Sequence, residues 1–340
     1  MVRATSYSAC IAAAARGVPQ RGVIHSVFRA AANILFTQDF VLSLNAATSP
    51  RMPNGLQLSS AAEDWPFSAL RVGMPVLFGA QRLHIEAVNC SLDLTNCSQW
   101  DPHIKRPAEL NMGIVVNNLR YLQRYLSQWH PQGDLHWRGF EEGWAMFQGG
   151  GKPRPYSTRA GQDDSSYSRG DPCGRPGPCP RPGLCGRAYE GDLLYAALSE
   201  QDRQAWRDAY ASPEVVRAMA QYLCGRGMGL TPAGDDILAG WMACNWLLHG
   251  PTTRLLEACQ QILLVARQQT HLLSQCWLSY AAEGNIALPM RDLLAALTQE
   301  RQEPLLAAAQ DVLALGATSG CDFIRGMLLA GTDNNQAFML

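Results

Sequence analysis

The chain lacks most of the features that assign a protein quickly. It has almost no net charge: 28 basic and 29 acidic residues leave −1 with histidine neutral. That balance gives no electrostatic case for nucleic acid or a membrane surface as a partner. No apolar run reaches the ~18 residues expected of a spanning helix. The Ala-rich patch Ala9–Ala15 is too weakly hydrophobic for a signal peptide, so the expected location is the cytoplasm. Charged residues make up only 17% against 47% hydrophobic, which points to a globular protein with much buried surface, part of it at a subunit interface. There is no Gly-x-x-x-x-Gly-Lys-[Ser/Thr] phosphate loop, no His-Glu-x-x-His and no Gly-x-Ser-x-Gly elbow. No activated nucleophile is evident, so direct group transfer between bound substrates fits better than a covalent intermediate.

A closed disulfide framework is also missing, because the cysteines number 11, an odd count. Cys224, Cys244, Cys259 and Cys276 lie in or beside apolar helical patterns, where buried free thiols are ordinary. Cys173, Cys179 and Cys185 are evenly spaced, but they form no Cys-x-x-Cys pair and no histidine lies among them. They read as incidental thiols rather than metal ligands.

Residues 1–20 read as a loosely ordered tail. Residues 21–105 read as a β-rich domain, with candidate strands at 23–28, 40–44, 70–78 and 83–87. Turn-rich pieces such as Ser49-Pro50-Arg51-Met52-Pro53-Asn54-Gly55 separate them, which suggests a small antiparallel barrel or sandwich. A helix over His25–Phe36 competes, since Ala30-Ala31-Ala32 favours it. Residues 106–340 read as a helical domain. Asn111 can cap a helix to about Trp129, with Val115, Leu119, Leu122, Leu126 and Trp129 on one stripe. Asn117 and Asn118 near its start are ordinary solvated positions unless they face a site. At about 149–187 comes an insertion rich in Gly and Pro and nearly without aliphatic residues. It would be disordered or act as a lid. Its Lys152, Arg154 and Arg159 would reach an anion on closing, though composition favours a solvated loop. From Glu190 the pattern is helix after helix, with Ser212-Pro213-Glu214 as a start signal. Thr270 would cap a later helix and Gly284 would stop it. The fold class is therefore α+β, a small antiparallel β-barrel or sandwich packed on a mostly helical C-terminal part.

The most informative stretch is Gly225-Arg226-Gly227-Met228-Gly229-Leu230-Thr231-Pro232-Ala233-Gly234-Asp235-Asp236, running into apolar Ile237–Leu248. Thr231 suits a helix N-cap and Pro232 the first helical position. Unpaired amides at such a start favour an anion, whereas Asp235 and Asp236 in the first turn would repel a bare one. That mixture suits a ligand with both acceptors and donors, or an anion carried with a metal. A well-capped core helix after a glycine loop is the bland alternative. The pattern recurs, however: Gly234-Asp235-Asp236-Ile237-Leu238-Ala239-Gly240 matches Gly320-Cys321-Asp322-Phe323-Ile324-Arg325-Gly326 as Gly-x-Asp, two apolar residues, one variable, Gly. Two helix starts of one design suggest two N-termini facing one site.

Amides from Gly229 to Gly234 and from Thr318 to Gly320 would then hold phosphate or carboxylate oxygens. The Thr231, Thr318 and Ser319 hydroxyls would add donors. Asp235, Asp236 and Asp322 would accept from a ligand amide or hold a divalent cation such as Mg²⁺. Arg226 and Arg325 would neutralise charge built up in transfer. Changing Asp236 or Asp322 to Asn would then impair ligand binding and leave the fold intact. His271 and Glu283 are weaker acid–base candidates, better explained as a structural histidine and a surface glutamate.

The string Gly229-Leu230-Thr231-Pro232-Ala233-Gly234-Asp235-Asp236, together with Ala282-Glu283-Gly284 and Thr318-Ser319-Gly320-x-Asp322, resembles the bacterial family of the AllH-type subunit of oxamate carbamoyltransferase. The resemblance covers mainly residues 190–330, with an echo at Pro53-Asn54-Gly55. The insertion is an expansion relative to that family, and Ala317 stands where a polar residue is expected. The resemblance implies a phosphorolysis shared among several subunits, converting oxalurate to oxamate and carbamoyl phosphate in allantoin catabolism. It therefore implies a small anionic amide substrate, phosphate or carbamoyl phosphate, and partner subunits. It carries no catalytic residue across. A non-catalytic assembly subunit and a metal-dependent phosphate-ester or nucleotide enzyme are the alternatives.

Overall fold

A computed structural model describes residues 3–37, 40–60, 67–128, 212–227, 230–316 and 318–331. The insertion at 149–187, with Lys152, Arg154, Arg159 and its cysteines, lies outside the described residues, as do Trp129, Gly229 and Ala317.

Among the described residues the N-terminal part has nine strands: β1 (Ala4–Ser8), β2 (Gln20–Val27), β3 (Ala31–Thr37), β4 (Phe40–Asn45), β5 (Gly55–Leu58), β6 (Pro75–Gly79), β7 (Arg82–Ile85), β8 (Cys90–Asp93) and β9 (Ser98–Trp100), with a short helix α1 (Ala12–Arg16) after β1. They form one sheet in the order β8-β7-β6-β2-β3-β4-β5-β1-β9, curled into a half-barrel. Register shifts at Ala4/Ser6, Ile24/Ser26 and Leu35/Thr37 supply bends, because an extra residue on one strand increases local twist. The concave core holds Ile24, Ile34, Leu42, Leu44, Leu56 and Phe78.

Three sequence expectations are corrected here. The described part of the expected tail, residues 3–20, is not loose. Its residues 4–8 form β1, lying between β5 and β9. Ser6, Tyr7 and Ser8 are buried, and the strand is held by ladders on both sides rather than by an aliphatic run of its own. The helical alternative over His25–Phe36 also falls. The helix preference of Ala30–Ala32 is worth only tenths of a kcal/mol per residue, and it loses to the β3 ladders with β2 and β4 and to the burial of Ile34. Finally, the sheet is not purely antiparallel, since β4–β5 and β1–β9 are parallel. The first of these pairs is pinned by Asn54, fully buried, whose Nδ2 donates to the Val41 carbonyl at 2.8 Å.

The helical part comprises α2 (Met112–Gln128), α3 (Pro213–Leu223), α4 (Ala233–His249), α5 (Thr253–Gln269), α6 (Leu272–Ala282), α7 (Leu288–Leu297), α8 (Gln302–Leu313) and α9 (Ser319–Gly331). Asn111 Oδ1 accepts from the Ile114 amide at the start of α2, as its capping preference predicts. Ser212 Oγ accepts from the Val215 amide and caps α3 in the same way. Asn118 is buried and donates to the Leu297 and Gln299 carbonyls at 2.9 and 2.8 Å. It closes the end of α7 and faces no site. Asn117 is exposed. The two parts of the chain are tied by the Ile104 amide to the Gly284 carbonyl and the Leu288 amide to the Arg51 carbonyl. On the convex face of the sheet, Val41 packs with Leu273 and Cys276 of α6.

Helices α4 and α9 form the centre. From Ala233 to Leu248 every residue except Ala239 is buried, as expected of a helix apolar on all sides. The two helices cross backbone to backbone. A Cβ on Gly240 would lie 1.9 Å from the Phe323 carbonyl oxygen, and one on Gly326 would lie 2.0 Å from that of Ile237. Gly240 and Gly326 occupy the same place in the repeated pattern, as do Ile237 and Phe323, so the contact is reciprocal.

Candidate functional site

The first helix start is built by a tight reversal after α3. Gly225 and Gly227 have φ of +71° and +111°, a region that disfavours side chains. The Arg226 amide donates to the Leu223 carbonyl at 3.0 Å, and the Gly234 amide donates to the Arg226 carbonyl at 2.9 Å. The Asp235 and Asp236 amides both donate to the Pro232 carbonyl. A Cβ on Gly234 would lie 2.0 Å from the Leu223 carbonyl oxygen, so the glycine lets the helix start rest on the end of α3. The guanidinium of Arg226 sits 4.5 Å above the centre of the Tyr222 ring.

The second start repeats the design. Gly316 has φ of +63°, and a Cβ on Gly320 would lie 1.8 Å from the Val312 carbonyl oxygen in α8. The Gly320 amide donates to the Leu315 carbonyl at 3.2 Å, and the Asp322 amide donates to that of Thr318 at 3.1 Å. The amides of Gly234 and Gly320 are thus satisfied within their own loops. That corrects the expectation that they await an anion. Local carbonyls take up those two amides and the Asp235, Asp236 and Asp322 amides of the first turns.

The two starts do meet. Thr231 does not cap α4 with its side chain: Pro232 occupies the cap position, with no side-chain cap bond. Instead the Thr231 hydroxyl lies 2.8 Å from the hydroxyl of Ser319, the first residue of α9. Both hydroxyls lie near the carboxylate of Asp236 and favour its charged form. Asp236 is only 9% exposed, and its Oδ2 has no hydrogen-bond partner. Burial, then the neighbouring charge of Asp322, pushes the Asp236 carboxyl well above the usual range, against the influence of the nearby Ser319 and Thr231 hydroxyls. Asp322 is fully buried and paired with Arg325 at 3.2 Å. Arg325 is itself buried, so it serves Asp322 rather than charge developing on a ligand. Thr318, Ser319, Thr231 and Arg226 are half-buried at the edge of this cluster.

Asp235 takes a different direction. Its Oδ1 accepts from the Gly225 amide at 2.8 Å and its Oδ2 accepts from the Thr270 hydroxyl. Burial raises its carboxyl, opposed by the bonds from Thr270 and the Gly225 amide. It fastens the glycine loop to the start of α6. Among the described residues no group of three or more His, Cys, Asp or Glu side chains could hold a metal.

Thr270 holds Asp235 and leaves the cap of α6 to His271, whose ring accepts from the Ser274 amide at 3.5 Å. His271 is thus structural, and burial lowers its affinity for a proton. Glu283 lies away from the paired loops. With Arg267, Gln275, Cys276, Ser279 and Tyr280 it lines a cavity of about 400 Å³ beside α5 and α6. Sequence reasoning missed Tyr222 as the platform under Arg226 and Thr270 as the anchor of Asp235. A signal was available for the first, since Tyr222 and Arg226 are four apart around a helix end.

A family model described as oxamate carbamoyltransferase subunit AllH matches residues 223–331, from the last residue of α3 to the end of α9. A second, the AllH family N-terminal domain, matches residues 3–99, which hold the curled sheet. No solved structure matches the chain.

Proposed function

The chain belongs to the family of the oxamate carbamoyltransferase subunit AllH, and on that premise we propose that its paired helix starts are the part of the transfer site this subunit contributes. The observation that carries the reading is the junction of Thr231, Ser319 and Asp236. It joins one hydroxyl from each loop at 2.8 Å beside one buried carboxyl, within the segment the family model spans. The ligands are a small anionic amide acid, oxamate or oxalurate, and carbamoyl phosphate or phosphate. Such molecules combine acceptor oxygens with amide N–H groups, which hydroxyls and a carboxyl can serve together. Arg226, steadied on Tyr222, is the cation placed to meet phosphate or carboxylate oxygens. The setting is cytoplasmic nitrogen catabolism of allantoin and purines, in a complex with other subunits.

A second reading, a non-catalytic subunit that completes a partner's site, is favoured by one feature: the Gly234 and Gly320 amides are already satisfied internally. The experiment is an assay of the purified chain with oxamate and carbamoyl phosphate, alone and with partner subunits. Site residues in this chain predict that Arg226→Ala in the reconstituted complex raises KM for carbamoyl phosphate at least several-fold. Unchanged kinetics in that variant would favour the assembly reading.

A further inference from the structure

Asp236 and Asp322 stand together beneath two helix starts, and Arg325 brings one positive charge to the pair, bonded to Asp322 Oδ1. The other charged group acting on Asp236 is the Asp235 carboxylate next to it on α4. Among the described residues three carboxyls, Asp235, Asp236 and Asp322, and the Arg325 guanidinium are all at most 9% exposed, so full ionisation would crowd negative charge in a dry place. Two like charges held this close and this dry do not both ionise. Asp322 has the arginine, so the proton belongs on Asp236. One oxygen of Asp236 is also left without a partner, which is unusual for a buried carboxyl and marks a place where chemistry remains to be done.

We propose that Asp236 is the proton carrier of the transfer site, protonated at rest and exchanging that proton with the ligand nitrogen that gains or loses the carbamoyl group. This rests on the functional reading above. In the phosphorolysis direction a phosphate oxygen bonds to the carbamoyl carbon and the C–N bond breaks. Its electron pair goes to the nitrogen, which takes the proton of Asp236 and departs as a primary amide. Asp236 regains a proton from the hydrogen phosphate, which gives one up on bonding to carbon. In the transfer direction each movement reverses: the amide nitrogen loses its proton as the C–N bond forms, and phosphate leaves with one. An amide anion is too poor a leaving group to depart unprotonated, so a positioned acid is the component this reaction needs from the protein. The Thr231 and Ser319 hydroxyls, 2.8 Å apart, stand beside the carboxyl where the two helix starts meet.

The test has two arms. Infrared spectra of the wild-type chain at neutral pH should show a protonated carboxyl C=O band that is absent from Asp236→Asn. Lack of that band in the wild type overturns the proposal with no variant required. In the complex reconstituted with partner subunits, Asp236→Asn keeps a hydrogen-bond donor but cannot pass a proton. It should lower kcat by roughly 10²–10⁴-fold, leave KM within a few-fold and remove the alkaline decline of the wild-type pH profile. A variant with wild-type kcat sinks the proton carrier and leaves the family reading standing. A wild-type complex whose activity does not depend on this chain sinks both. Circular dichroism confirms that the variant is folded, and if it is not, the infrared arm decides.

Discussion

The hydroxyl oxygens of Thr231 and Ser319 lie 2.8 Å apart although 88 positions separate them in the chain. One precedes α4 and the other opens α9, so this bond closes the cluster over Asp236. Replacing Thr231 with Val or Ser319 with Ala should each lower stability by about 0.5–1.5 kcal/mol, the usual net value of one hydrogen bond. The double variant should lose less than the sum. A double-mutant cycle in urea gives the coupling. Strict additivity would show that the two hydroxyls do not act on each other.

The crossing of α4 and α9 has no room for a methyl group. Gly240→Ala and Gly326→Ala place a carbon 1.9 and 2.0 Å from carbonyl oxygens of the facing helix. Backbone atoms cannot turn aside as a side-chain tip can. Each variant should lose at least about 1–3 kcal/mol, the range for overpacking, read as a lower urea midpoint. The helix preference of alanine, about 1 kcal/mol over glycine, works the other way and is the smaller effect. A variant as stable as the parent would mean that the helices do not touch there.

How much of this was legible beforehand varies with the range of the cause. The Asn111 and Ser212 caps were, because a capping side chain bonds within its own turn. The repeat of Gly-x-Asp around Gly234 and Gly320 was visible as a pattern, and it led to the expectation that the two helix starts share one place. Its geometric reason was not visible, because Gly240 and Gly326 answer to carbonyls of another helix. Thr231 and Thr270 were both read as caps from local preference. Each instead serves a partner brought in by the fold, Ser319 and Asp235 respectively. Strand β1 escaped because Thr5-Ser6-Tyr7-Ser8 carries little apolar signal of its own.

Asp322 was expected to tolerate neutralisation with the fold intact. Its full burial and its pairing with Arg325 argue otherwise. Removing one member of a buried pair takes a charge partner from the other, which typically costs about 3–5 kcal/mol. Asp322→Ala should therefore melt well below the parent. Asp322→Asn combined with Arg325→Met removes both charges and should recover much of the loss. Failure of the double variant to recover would mean that the pair is not the source of the destabilisation.

Asp236 also leaves a signature in the dependence of stability on pH. Its carboxyl is raised in the folded protein, whereas in the unfolded chain an aspartate titrates near its ordinary value of about 3.9. Between about pH 4 and the raised folded value, the native state keeps a proton that the unfolded state has lost. Unfolding then releases a proton, and stability falls as pH rises across that window. Asn at 236 has no proton to release, so this component vanishes from the variant. The difference in unfolding free energy, Asp236→Asn minus wild type, should move in favour of the variant as pH is raised from 4, and level off once Asp236 ionises in the folded state. Denaturant unfolding of both proteins at a series of pH values measures that difference directly. A difference that stays flat, or that moves in favour of the wild type with rising pH, would mean that Asp236 is an ordinary ionised carboxylate in the native protein.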